Sequence, residues 1–160
     1  MTRALTILVG TTTGNAQYCA EESAFRAQAM EVAAEVKPME GLDASVFVPG
    51  QTYLLCVSTY GQGDVSDNAR GVYETLIRKQ PALTGVRYGI VSLGDSSHAQ
   101  TFCFAGRRFD NALKKLGAVR VGEILNHDAS SGTMPEEATA EWVVSWLAQA
   151  FAGDATAAEQ

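Results

Sequence analysis

Short apolar runs separated by segments of helical period recur along the whole chain. That alternation restricts the fold more than any other feature. Residues 4–9, 32–36, 53–57, 86–93 and 119–125 are apolar runs of strand length. Residues 17–30, 68–79, 101–116 and 135–151 instead space their apolar side chains three and four apart, as a helix packed on one face requires. Strands alternating with helices predict βαβ units and a parallel sheet covered on both faces. With right-handed crossovers, five such strands give a doubly wound α/β domain.

The breaks between segments carry their own signals. Gly117 stops the helix over 101–116. Pro135 suits the first turn of the last helix. Asn68 is read as the N-cap of the helix over 68–79. The stretch 39–49 is the least regular, and a short helix is expected near residues 42–44. The 160 residues fit one domain, assigned to 1–151, with a frayed tail over 152–160. No internal repeat interrupts this reading.

Composition narrows the partners. A formal net charge of -6 disfavours nucleic acid and anionic membranes, and it favours proteins with a basic docking face. No apolar stretch is long enough to span a bilayer, and residues 1–9 lack the length and cleavage region of a secretory leader. Cys19, Cys56 and Cys103 are odd in number and widely spaced, which suits reduced thiols in a cytoplasmic protein and no metal site. A monomer is expected.

Three polar loops, at 10–16, 58–67 and 94–99, each follow a predicted strand. In an open parallel sheet such loops share one edge, where ligands bind at the point where strand order reverses. The first, Gly10-Thr11-Thr12-Thr13-Gly14-Asn15-Ala16, opens onto a helix N-terminus with free N–H groups. Its hydroxyls and glycines suit a phosphate held by neutral donors. The same residues also suit an ordinary polar strand-to-helix turn. Neither a Walker A sequence nor G-x-G-x-x-G is present.

Taken together the loops become specific. Thr11-x-Thr13-Gly14-Asn15 resembles the phosphate loop of flavodoxins and of the FMN domains of diflavin reductases. Ser58-Thr59-Tyr60-Gly61-Gln62-Gly63-Asp64 resembles their second flavin loop, and Gly94-Asp95-Ser96-Ser97-His98 the third. Phe102-Cys103-x-x-Gly106, then Phe109-Asp110, resembles the helix that follows. The length and the ending Glu141-Trp142…Ser145-Trp146-Leu147 are most similar to short MioC-type flavodoxins.

The resemblance implies strand order 2-1-3-4-5, one non-covalent FMN, and one-electron transfer from an NAD(P)H-linked reductase to an acceptor enzyme. It implies a redox carrier rather than a stand-alone catalyst. The phosphate would rest on backbone N–H groups of residues 12–16, with hydroxyls from Thr11 and Thr13 and with Ser58 and Thr59 closing the site. Ala16 replaces a hydroxyl common in flavodoxins, at a cost of about 1 kcal/mol of affinity. Tyr60 would lie on one ring face. The peptide after Gly61 would turn its carbonyl toward the reduced ring, and Gly63 completes that loop. Backbone groups at 94–96, Gly94 and Asp95 among them, would meet the pyrimidine edge, Asp95 accepting from the ring N–H, and Leu93 is counted in the same site. Cys103 would pack beneath the ring as a small apolar residue, and Phe102 is counted in the site. Either His98 or Ala99 would stand over its outer face, where relatives carry Tyr; a cationic His98 would favour reduction at low pH. Competing readings are a small flavin-dependent quinone or flavin reductase, and a binding domain of this fold without FMN. A receiver-type module is disfavoured, since strands one and three end without an acid.

Overall fold

Leu5, Ile7 and Val9 fall in one buried cluster and Leu8 in another, so β1 (Arg3–Gly10) is apolar on both faces. Such a strand needs cover on both sides. The computed structural model, which describes residues 3–10, 15–60, 64–65, 67–94, 104–128 and 131–151, supplies it. After β1 come α1 (Asn15–Ala29), β2 (Val32–Pro38), a 3-10 turn (Ala44–Val46), β3 (Thr52–Tyr60) and β4 (Asp64–Val65). Then follow α2 (Asp67–Lys79), β5 (Arg87–Gly94), α3 (Phe104–Lys115), β6 (Val119–Arg120), β7 (Leu125–Asp128) and α4 (Pro135–Ala150).

The sheet runs β2-β1-β3-β5-β6, with β7 also on β5 and all these pairs parallel. Counting β6 and β7 as halves of one strand, this is the expected 2-1-3-4-5 order. Ala16, Cys19, Ala20 and Ala27 of α1 and Val143, Trp146, Leu147 and Ala150 of α4 pack over Leu54, Cys56 and Val91 on one face. Ala69, Val72 and Leu76 of α2 and Ala105, Phe109 and Leu113 of α3 pack over Leu55, Val57 and Ile90 on the other. Each fully buried Leu, Ile or Val contributes roughly 1.5–3 kcal/mol.

Glycines mark where helix and sheet approach most closely. A Cβ on Gly89 would run into the Trp146 ring. One on Gly106 would lie 2.5 Å from Ser92 Cβ and Oγ, and one on Gly10 2.7 Å from Ala69 Cβ.

Several element boundaries differ from the sequence expectation. β3 runs on to Tyr60, and Asp64-Val65 folds back antiparallel onto Thr59-Tyr60, where a plain loop was expected. Asn68 lies inside α2, one residue past its start, so it is not the cap. The short helix near 42–44 is a 3-10 turn at Ala44–Val46, capped by the Asp43 carboxylate accepting from Ser45 N–H at 2.8 Å.

The largest departure is strand five. Tyr88 pairs with Arg120 and Val91 with Leu125, so four residues on this strand lie between the pairs against two on β5. The two extra residues bulge out around Gly122, at φ +68°. Their carbonyls find side-chain donors: Trp146 Nε1–H reaches Val121 O at 3.0 Å and Arg120 Nε–H reaches Gly122 O at 3.0 Å. Trp146 thereby anchors α4 to the sheet.

Candidate functional site

Register brings the ends of β1, β3 and β5 together. Gly10 pairs with Val57, and the next residue, Ser58, pairs with Leu93. Chain order reverses between β1 and β3: the chain leaves β1 to one side for β2 and returns on the other for β3. A crevice outside the carboxyl ends of the strands forms at such a point. α1 begins there at Asn15, α2 at Asp67 and α3 at Phe104. The first turn of α1 carries no acidic residue, which leaves the positive end of the helix dipole without a carboxylate of its own.

The site residues expected from sequence divide into three groups. Ala16, Ser58, Leu93 and Gly94 are placed at the converging ends, with Ala16, Ser58 and Leu93 buried. Ala16 belongs to the apolar layer under α1, so residue 16 can offer only its backbone N–H. For Asn15, Thr59 and Tyr60 the backbone is described: Asn15 opens α1 and the other two end β3. Thr11, Thr12, Thr13, Gly14, Gly61, Gly63, Asp95, His98, Phe102 and Cys103 lie outside the described residues.

What holds α3 on the sheet, at the amino-terminal end of β5, is a network that the sequence alone did not single out. Asp110 is 6% exposed. It accepts from Tyr88 Oη–H at 2.6 Å and from Arg120 Nη1–H at 2.8 Å, with Lys114 Nζ at 3.5 Å. Burial pushes the Tyr88 phenol well above its ordinary range, and the Asp110 hydrogen bond and charge add to the rise. A signal was there: Asp110 falls on the apolar period of α3 between Phe109 and Leu113. An acid at a buried helical position needs partners of this kind. The network ties α3 to β5 and β6, and so fixes where the segment before Phe104 must end.

The remaining polar candidates are structural. Burial pushes the Cys19 thiol up to about 11, partly offset by a hydrogen bond with Thr139, and burial raises Cys56 well above its ordinary value. Neither is a nucleophile at neutral pH. His127 is buried beside Leu93, with Nε2 3.0 Å from Thr133 Oγ1 and 3.1 Å from its carbonyl. It ties β7 to the lead-in of α4. Trp142 stacks on Trp146 with centroids 5.8 Å apart. These two rings, with Gly122, Glu123, Ser145 and Gln149, line an open groove of about 390 Å³ beside the strand-five bulge, away from the converging strand ends.

Comparison with known proteins agrees with this fold. Residues 7–142 match the family model described as flavodoxin. The chain is 39% identical over 145 residues to flavodoxin YqcA of Pectobacterium carotovorum, covering 88% of this chain and 92% of that protein. It is 33% identical to protein MioC of Escherichia coli K12, covering 89% and 95%. It is 32% identical to the sulfite reductase [NADPH] flavoprotein alpha-component of Bacillus subtilis, covering 99% of this chain but 26% of that one. A mutant flavodoxin from Pseudomonas aeruginosa superposes with a TM-score of 0.81 at 30% identity, covering 91% and 97%.

Proposed function

Since the chain belongs to the flavodoxin family, whose cofactor is FMN, we propose that it passes single electrons from an NAD(P)H-linked reductase to an acceptor enzyme. The observation that carries this reading is the meeting of β1, β3 and β5 at the switch point, beside an α1 N-terminus free of acid in its first turn. The sulfite reductase flavoprotein supports the reductase link. There a segment similar to this chain lies within a longer protein named for NADPH.

The residues fit FMN. Asn15 and Ala16 in the first turn of α1 would offer backbone N–H groups to the phosphate, joined by those of Thr12, Thr13 and Gly14 and by the hydroxyls of Thr11 and Thr13. Gly10 lets the β1 exit sit tight against α2, since a Cβ there would come 2.7 Å from Ala69 Cβ. Ser58 and Thr59 would close the phosphate side. Tyr60, Gly61, Gly63, Leu93, Gly94, Asp95, Phe102 and Cys103 would surround the ring, with His98 or Ala99 on its outer face. When bound, FMN supplies the one-electron chemistry; the chain binds and orients it and excludes water.

The test is a visible spectrum of the purified protein before and after FMN is added, followed by stepwise dithionite. Flavin absorbance that passes through a distinct long-wavelength band at half reduction is the expected result. A protein that binds no added FMN overturns the reading. Oxidation of NADH without any added reductase would assign the chain to the flavin reductases instead.

A further inference from the structure

Among the described residues, seven large apolar side chains stand in water; Val48, Ile77 and Val119 are scattered singly, while both of the aromatic ones and two more share the α1/α4 side of the sheet. Tyr18 and Phe25 of α1 are 59% and 65% exposed, Met134 just before α4 is 52% exposed, and Val144 of α4 is 42% exposed. Tyr18 and Phe25 are seven residues apart, so they share one outward stripe of α1, with Glu21 and Glu22 between them. Glu137, Glu141 and Val144 form the matching exposed stripe of α4. The two helices lie side by side, with Cys19 and Ala20 of α1 and Val143 and Leu147 of α4 in one buried cluster. Both begin at the carboxyl edge of the sheet, which puts Tyr18 and Met134 at the cofactor end.

Charge is sorted by the same division. α1 and α4 carry five carboxylates (Glu21, Glu22, Glu136, Glu137, Glu141) against Arg26 alone, a net -4. α2 and α3 carry seven cations against Asp67, Glu74 and the buried Asp110, a net +4. Helix energetics explain only part of this pattern. Glu136 and Glu137 suit the N-terminus of α4, but Glu21, Glu22 and Glu141 sit beyond the first turns. Nor does folding call for Tyr18 and Phe25 to stand in water, and exposed aromatics with a charged rim are the composition of an interface.

We propose that the α1/α4 face is the docking surface for a basic electron-transfer protein, with Tyr18 as its apolar anchor. The proposal rests on the carrier reading and deepens it by naming the face. Carboxylates steer and orient a basic partner there, and the oppositely charged α2/α3 face turns it away. An apolar contact at Tyr18 then holds the partner beside the cofactor edge.

The probe is ferric cytochrome c, a basic haem protein, titrated calorimetrically into the full chain at low and moderate salt. Glu137→Gln and Glu74→Gln remove the same charge from opposite faces. Glu137→Gln is expected to raise Kd about threefold at low salt, and Glu74→Gln to leave it unchanged. Tyr18→Ser is expected to raise Kd about tenfold at both salt concentrations, while Tyr18→Phe binds like the parent. Equal losses for the two Glu variants, or no loss for Tyr18→Ser, would overturn the assignment. So would concentration-dependent self-association in sedimentation, which would seat a second copy on this face. Flavin absorbance is recorded first. A colourless protein that still discriminates the faces would sink the carrier reading and leave the docking surface standing. A flavin-bound protein that does not discriminate would do the reverse.

Discussion

Gly106→Ala sets two physical effects against each other. On helix grounds alone the change is favourable by about 0.5–1 kcal/mol, because alanine loses less backbone entropy than glycine. Packing opposes it. The new Cβ would stand 2.5 Å from both Ser92 Cβ and Oγ, and 3.3 Å from Ile90 Cγ2. Comfortable carbon–carbon contact is roughly 3.5–4.0 Å, so the first turn of α3 must withdraw from β5 by about 1 Å. Overpacking of that kind costs about 1–3 kcal/mol. The expected balance is a destabilisation of about 1–2 kcal/mol, a Tm lower by about 3–6 °C. Because α3 starts at Phe104, five residues past the third loop in sequence, FMN affinity should also fall, by about tenfold. The assay is a double-mutant cycle with Ser92→Gly, read by urea unfolding and FMN titration. Ser92→Gly removes the opposing atoms, so the pair should couple favourably by about 1 kcal/mol, although Ser92→Gly alone is costly. If Gly106→Ala proved stabilising, with no coupling to Ser92, close approach would not be what glycine provides there.

Trp146→Phe should cost about 2 kcal/mol in urea unfolding, because it strands the Val121 carbonyl; a cost no greater than that of Trp142→Phe would refute the anchoring role. Asp110→Asn should cost about 2 kcal/mol, below the usual toll for a broken buried pair since the Arg120 side chain is 25% exposed. Ultraviolet titration should also show Tyr88 ionising at lower pH in that variant; an unchanged Tyr88 would mean the Asp110 charge does not reach it. For Cys19, the folded thiol stands above the unfolded one, so its contribution is complete below the unfolded value and is lost as pH rises to about 11. Cys19→Val should therefore flatten the loss of stability between pH 9 and 11 by about 1.4 kcal/mol per pH unit; parallel curves would show that Cys19 does not titrate in that window.

The strand–helix alternation made the layer order legible because it follows from burial, which sequence period reports directly. Gly117 ended α3 as expected, at φ +104°, with Ala118 N–H bonded to the Leu113 carbonyl. The bulge in strand five was not legible. Val121 and Leu125 keep a strand-like spacing, and the break is satisfied by side chains, the Arg120 guanidinium and the Trp146 indole, the latter 25 residues away from Val121. The extension of β3 to Tyr60 was hidden for a similar reason. Ser58, Thr59 and Tyr60 have turn-like composition, and pairing with Asp64-Val65 overrides it. For the site, three loops in order were enough to locate the edge, because parallel topology brings strand ends together whatever the loops contain. The buttress of Tyr88, Asp110 and Arg120 depends on contacts across three elements, which no local pattern announces.

The same bulge bears on how the chain behaves in a crowd of its own copies. An outer strand presents a row of free N–H and C=O groups that a neighbouring molecule can extend into a continuous ladder. Here, among the described residues, the outer strand offers only Val119–Arg120 and Leu125–Asp128, kinked apart, with two intervening carbonyls already engaged by Trp146 and Arg120. On the opposite margin, β2 ends in Pro38 and carries Glu35 and Lys37. Both margins are therefore poor templates for strand addition. A long, regular fifth strand would have left this molecule open to edge-to-edge aggregation, and the two extra residues close that route.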